Sequence, residues 1–355
     1  MTRTSTEPRT DEAPSNRSFV RTFAVTIAVL ALLCAGLVAV AHSQGPRLSE
    51  TIVDGRAVTL RADQQARVFL DESVATVRAE QVAVSPAARF AVTTQGTVVA
   101  VQFLHRLDYD TRYRVTIRGV TSVFGSRATT ISTEFTTGRA QVLTLDRNPA
   151  GQDRIVRASV NAVGRSVVYQ ARRIQAYAPI GSDLVVVSDD RRTSRITVVS
   201  SDGTTEDLLL PGPGLVTGFA LDAPTGVLVF RFTARGTATK LYTISLTGVH
   251  TSAPYEGSTL PADDASQGAA PSLAADSRSV VVSGRTVYTA PKGARLSQLG
   301  SSPNGQFVTV VSAPASAASD RSTIDPAPVG ATTLVVDRSS GAVVASFAGS
   351  SLRWG

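Results

Sequence analysis

The stretch Thr111-Arg112-Tyr113-Arg114-Val115-Thr116-Ile117-Arg118 alternates strictly, with Tyr113, Val115 and Ile117 on one side and Arg112, Arg114 and Arg118 on the other. Successive residues of a strand point to opposite faces, so this period of two reads as a β-strand with one buried and one wetted face. Val99, Val101 and Phe103 form a second inward row. Further strands are expected at Ala57–Leu60, Arg67–Leu70, Val82–Val84, Phe90–Thr93 and Ile131–Phe135. About seven short strands within roughly 90 residues indicate a β-sandwich.

The same region carries a family resemblance. Leu107, Thr111, Tyr113, Val115 and Ile117, then Gly125, then Phe135-Thr136-Thr137-Gly138, resemble the second half of bacterial Ig-like domains of the SbsA type. Val82-Ala83-Val84-Ser85-Pro86 resembles an earlier element of that family. Ser122-Val123-Phe124 stand where the family often has an Asp before Gly125, so no ligand role carries over. The resemblance implies a spacer or adhesion module and no catalysis.

Beyond the breaker cluster Arg147-Asn148-Pro149-Ala150-Gly151, apolar strands recur around small polar turns. Asp183–Val187 leads to Ser194–Val199, Val216–Leu221 to Val227–Phe232 and Lys240–Leu246, and Ser279–Val282 to Thr286–Tyr288. A last unit runs from Ser302-Pro303-Asn304-Gly305 through Phe307–Val311 and Thr333–Val336 to Ala342–Phe347, with Leu352-Arg353-Trp354 as a candidate closing strand. Recurrent four-strand units suggest propeller blades, about four or five of them. The strings Ser-Pro-Asn-Gly-Gln-Phe-Val and Lys-Leu-Tyr-Thr-Ile are similar to those of the TolB-like and WD-repeat class; a second irregular sandwich is the alternative. Pro261–Pro271 and Ala313–Gly330 read as loops, the second a mobile interruption of a blade.

Phe23–Ala41 is an unbroken apolar run without a charged residue, preceded by Arg3, Arg9, Arg17 and Arg21. A run of this length, as a helix, matches a bilayer's hydrocarbon core of about 30 Å, and the arginines place the N-terminus in the cytoplasm. Cleavage of a signal peptide after Ala41 and secretion is the alternative, since Ala39-Val40-Ala41 has the small-x-small form. Leu33 before Cys34 argues against a lipoprotein. The expected fold is thus an all-β ectodomain, an Ig-like β-sandwich plus a small β-propeller, behind one N-terminal transmembrane helix. Its parts would be a cytoplasmic tail at 1–21, a membrane helix at 22–42, the sandwich at 47–145 and the propeller at 148–355.

Little chemistry is legible. Cys34 is the only cysteine, which excludes an intramolecular disulfide, a cysteine zinc site and a redox pair. No Gly-x-Ser-x-Gly elbow is present. Ser200-Ser201-Asp202-Gly203 reads as a turn, and the pairs Asp71-Glu72, Asp189-Asp190 and Asp263-Asp264 as solvated surface. His105 and His250 stand without a motif. No catalytic residue, cofactor or metal ligand is nominated.

The net charge of +7 is almost all arginine, with lysine only at Lys240 and Lys292. The densest basic stretch gathers Arg172, Arg173, Arg191, Arg192 and Arg195, a candidate polyanion-binding set. Outside the cell nucleic acid is excluded as a partner, leaving an anionic cell-wall polymer or another envelope protein, beside the bilayer that holds the Phe23–Ala41 helix. The function class is non-enzymatic binding or scaffolding in the cell envelope; the alternatives are a propeller-type envelope hydrolase and a transmembrane envelope sensor.

Overall fold

A computed structural model describes residues 16–42, 45–161, 164–222, 224–248, 250–261 and 266–355. Arg3, Arg9 and Asp263-Asp264 lie outside these residues. Helix α1 spans Asn16–His42. Its side chains are described from Phe19 to Cys34 and at Gly36, and all are exposed. Among the described residues no helix is long and apolar enough to cross a membrane. The expected crossing rests on the whole run Phe23–Ala41, which reaches beyond those side chains.

The first β-unit has seven strands in two sheets: β1 (Leu48–Ile52), β2 (Gln64–Leu70), β3 (Val82–Ser85), β4 (Phe90–Gln95), β5 (Val98–Phe103), β6 (Arg112–Val120) and β7 (Thr129–Thr136). One sheet has the order β1-β2-β5-β4, the other β3-β6-β7. The alternating rows meet between them. Tyr113, Val115 and Ile117 from one sheet and Val99, Val101 and Phe103 from the other are all buried in a single cluster. The unit is a β-sandwich. Ala57–Leu60, expected as a strand, is instead a short helix, α2. Asp54 causes the difference, because its Oδ1 accepts the N–H groups of Arg56 (3.0 Å) and Ala57 (2.9 Å) and so satisfies free donors of a helical turn.

The remaining strands form five antiparallel sheets. They comprise β8 (Gln141–Asp146), β9 (Asp153–Ser159) and β10 (Arg165–Ala171); β11 (Ile174–Ile180), β12 (Asp183–Asp189), β13 (Ser194–Val199) and β14 (Thr205–Asp207); and β15 (Gly214–Asp222), β16 (Val227–Ala234), β17 (Lys240–Ser245) and β18 (Ala253–Pro254). They continue with β19 (Ser272–Leu273), β20 (Ser279–Val282) and β21 (Arg285–Thr289), and with β22 (Ala294–Ser301), β23 (Phe307–Pro314), β24 (Thr332–Asp337) and β25 (Val343–Ala348). The last strand, β26 (Ser350–Trp354), returns to pair with β8. It thereby supplies the first position of the first sheet, the position that β11, β15, β19 and β22 hold in the others. Residues of β11, β15, β22 and β26 line one central channel. Residues 141–355 form a five-bladed β-propeller closed by the C-terminal strand.

The packing explains the sequence pattern. In β12, Leu184 and Val186 join a cluster with blade 1, while Val185 and Val187 join one with blade 3. A strand covered on both faces has no wetted side, so its apolar run is continuous and not alternating. Buried clusters join blades 1 to 2, 2 to 3, 4 to 5 and 5 to 1; among the described residues none joins 3 to 4.

The expected joint at 147–151 is corrected. It is the turn between β8 and β9, with Asp146 opposite Arg154. Asn148 closes it: Oδ1 accepts the Ala150 N–H (3.1 Å) and its carbonyl the Gly151 N–H (3.2 Å). Side-chain breakers that end a domain also make a tight hairpin, and here they do the second. The passage from sandwich to propeller is the short segment 137–140.

Sandwich and propeller are docked through residues 106–110. The Tyr109 N–H donates to Gln306 Oε1 (2.8 Å), Asn304 Nδ2 to the Leu107 carbonyl (2.9 Å), and Arg106 to the Pro303 carbonyl (3.0 Å). The Tyr109 ring packs 6.1 Å from both Phe307 and Trp354. Its hydroxyl is buried without a hydrogen-bond partner. The ring therefore stabilises the joint while the hydroxyl opposes it. Tyr109→Phe is expected to leave stability unchanged or raise it by about 1 kcal/mol. Tyr109→Ala is expected to lower it by about 3–5 kcal/mol, the usual cost of truncating a buried aromatic ring. Chemical denaturation followed through Trp354 fluorescence separates the two; equal losses would contradict this assignment.

Candidate functional site

Strand direction sorts the loops into two ends. The turn 302–306 and the C-terminus of β26 face the sandwich, so the β8–β9, β10–β11 and β12–β13 turns and the long β23–β24 loop share the opposite face. There they enclose a cleft of about 940 Å³. Its lining includes Arg147, Arg172, Arg173, Arg191 and Arg321, against the carboxylates of Asp153 and Asp320.

The floor is built from Asp153 and Arg147. Asp153 is 6% exposed; it accepts the Asn148 N–H (2.9 Å) and the Ile174 N–H (2.8 Å), tying two hairpin turns together. Burial pushes its carboxyl above the ordinary Asp value, opposed by those two N–H groups and by the charge of Arg147. Arg147 donates to the carbonyls of Ile174 (3.1 Å) and Gln175 (2.7 Å) and to Asp320 Oδ2 (2.8 Å). Each partner of the Arg147–Asp320 pair has a side chain only 12% exposed. Its donors are committed to structure.

The rim is different. Arg173 pairs with Asp189 (2.7 Å), and the same Asp189 oxygen accepts the Arg191 N–H (2.9 Å). Asp189, expected as solvated, is thus enclosed by its partners. Its neighbour Asp190 does face water; the N–H groups of Thr193 and Arg192 hold its carboxyl below the ordinary value. Arg173 and Arg191 both have positive φ, 53° and 79°, a conformation that costs a residue with a Cβ about 1–2 kcal/mol. The two turns carry that strain while presenting guanidinium groups to the cleft. Arg172, Arg191 and Arg321 are exposed and make no ion pair among the described residues.

The sequence-predicted arginines therefore divide. Arg172, Arg173 and Arg191 meet in the cleft. Arg195 lies in a neighbouring hollow of about 520 Å³, 3.4 Å from Asp207. Arg192 is exposed outside both. Arg147 and Arg321 also line the cleft, although the sequence sets the first in a breaker cluster and the second in a long loop, apart from the basic stretch. Only the folded ring brings them beside Arg172.

That long loop is also corrected. Gln175 Oε1 accepts the Thr323 N–H (2.8 Å), Gln298 Nε2 donates to Asp325 (3.0 Å) and to the Pro326 carbonyl (2.7 Å), and Ile324 packs against the core between blades 2 and 3. The loop is pinned across the end of the central channel. That channel has a volume of about 600 Å³, with Asp325 among its lining at this end and Arg106 of the sandwich at the other.

Among the described residues no three His, Cys, Asp or Glu side chains cluster to hold a metal ion. His105 is exposed. His250 sits 2.8 Å from Glu206, whose hydrogen bond holds the imidazole above its ordinary pKa.

No protein-family model matches the chain, and no curated protein does. Among solved structures the chain is similar to TolB from Acinetobacter baumannii, with 12% identity over 74% of this chain and 68% of that one and a TM-score of 0.30. An auxiliary nutrient binding protein from Bacteroides thetaiotaomicron is 9% identical over 86% and 70%, with a TM-score of 0.24. The N-terminal part of the bacterial S-layer protein SbsC is 12% identical over 56% and 42%, with a TM-score of 0.22. The propeller assignment stands on the strand order of this chain, not on these distant similarities.

Asp320→Ala removes the carboxylate that Arg147 faces. Stability is expected to fall by about 3 kcal/mol, and backbone amides of 318–325 to exchange faster with solvent. Hydrogen exchange read by mass spectrometry checks this; unchanged exchange in that segment would mean the pair does not hold the loop.

Proposed function

We propose that this is an envelope-anchored, non-enzymatic binding protein that takes an anionic polymer of the cell wall into the far-face cleft. The observation that carries the reading is the convergence of Arg172, Arg191 and Arg321, exposed and without ion pairs among the described residues, on a cleft whose other arginines are fixed by structural partners. Guanidinium groups match phosphate and carboxylate oxygens in a two-pronged geometry, which suits a repeating anionic chain.

The rest of the molecule fits that role. Helix α1 is read as a single-pass anchor, because the run Phe23–Ala41 is uncharged and preceded by arginines. The N-terminus then lies in the cytoplasm and residues beyond about 45 lie outside. The sandwich is read as an SbsA-type Ig-like spacer that holds the propeller away from the bilayer. With strands of about 3.3 Å rise per residue, nine-residue β6 alone accounts for roughly 30 Å of that separation.

Binding of the full chain in detergent micelles to purified anionic wall polymer is expected to weaken steeply as salt rises, since exposed charges are screened over about 8 Å at physiological ionic strength. Ala replacements at Arg172, Arg191 or Arg321 are expected to weaken it more than replacements at Arg192 or Arg195. Salt-insensitive binding would remove the electrostatic basis, and cleavage of the polymer would remove the non-enzymatic reading.

A further inference from the structure

The end of the sandwich farthest from the propeller has a different character. The β6–β7 loop turns Val123 and Phe124 outward, 54% and 71% exposed. The loop is fixed below its tip. The Val123 N–H donates to the Ser73 carbonyl (3.0 Å), the Phe124 N–H to Ser122 Oγ (3.1 Å), and Ser122 Oγ to Glu72 (2.6 Å). Two adjacent apolar side chains are thus held in the open by a structured base.

Their position relative to α1 gives the exposure a meaning. Thr129, at the other side of the same loop, donates to the Pro46 carbonyl (2.9 Å). Gly45 lies so close that a Cβ there would overlap the Thr129 side chain and stand 2.9 Å from the Arg127 carbonyl. Gly45 is three peptide steps beyond His42, the last residue of α1, a reach of at most about 11 Å. The loop is therefore tethered next to the point where α1 ends. Arg47 and Arg127 are exposed beside it. Of the carboxylates at the same end, Asp71 accepts the Arg47 N–H (2.8 Å) and Glu72 accepts from Ser122, while Glu80, beside Gln81 that donates to the Arg118 and Gly119 carbonyls, is exposed.

We propose that the Val123-Phe124 tip inserts into the interface of the bilayer that α1 spans, a second membrane contact that fixes how the ectodomain stands on the surface. The proposal rests on the reading of α1 as an anchor. A single helix with a short linker leaves the ectodomain free to tilt and rotate, whereas two points of contact restrict it. Phenylalanine beside arginine suits the boundary between acyl chains and anionic headgroups, where apolar groups enter by about 5–10 Å. The far-face cleft would then point away from the bilayer.

The full chain is reconstituted into vesicles of phosphatidylcholine and phosphatidylglycerol, and a polarity-sensitive fluorophore is placed on a single cysteine. Val123→Cys and Ala238→Cys are made in a Cys34→Ser background, and native Cys34 is labelled in the unaltered chain. The label at 123 is expected to be quenched several-fold more by lipids spin-labelled near the headgroup than the label at 238, in the propeller turn on the far face. Adding Phe124→Ser is expected to abolish that difference. Quenching at Cys34 by lipids spin-labelled deep in the acyl chains, with positions 123 and 238 alike toward the headgroup label, would overturn the proposal and leave the anchor standing. Absence of quenching at Cys34 by the deep label and at 123 by the headgroup label would overturn the anchor and the proposal together.

Discussion

The pairing of β26 with β8 is the constraint on which the rest of the structure depends. It joins residues 350–354 to residues 142–145 and turns an open row of sheets into a ring. Gly349 makes the entry possible, since its φ is +94° and a Cβ there would overlap the Leu145 carbonyl oxygen. The buried Tyr177 hydroxyl donates to the Ser351 carbonyl (2.8 Å), fastening β26 to blade 2. With no buried cluster among the described residues joining blades 3 and 4, the closing strand is the element that makes the ring cooperative. It also delivers Trp354 to the face on which the sandwich sits.

Ring closure and docking together decide where chemistry can occur. The sandwich covers one end of the channel through residues 106–110, and the β23–β24 loop crosses the other. On the far face the cleft stays open, with Arg147, Asp153 and Arg173 absorbed by the scaffold and Arg172, Arg191 and Arg321 left to solvent without an ion pair among the described residues. The division is physical: a guanidinium with all its neighbours satisfied locks turns together, and one without a carboxylate partner is available to an external anion.

Much of this was legible in sequence, and the failures have identifiable causes. The alternation at Tyr113, Val115 and Ile117 reports a strand because one face of β6 is buried and the other wet. Ala57–Leu60 misled because a four-residue apolar stretch has no distinguishing period, and the Asp54 cap that decides it lies outside the stretch. The first blade was hidden because its inner strand comes from the opposite end of the chain, so Arg147–Gly151 looked like a linker and not a hairpin turn. Of the cleft, Arg172, Arg173 and Arg191 were visible as a local cluster. Arg147 and Arg321 become members only through tertiary contacts, with Gln175 and Asp320 as the intermediaries.

The central claim is that sandwich and propeller form one body, docked through Leu107–Asp110, which holds the cleft at a fixed place relative to the sandwich. The most direct measurement is the distance distribution between spin labels at Gln95→Cys in the sandwich and Ser201→Cys in the propeller, both exposed, in a Cys34→Ser background. Pulsed electron paramagnetic resonance is expected to give a single narrow distribution at the separation of the docked structure. A broad distribution, or two populations, would contradict a fixed joint and leave the propeller free to swing on the segment 137–140.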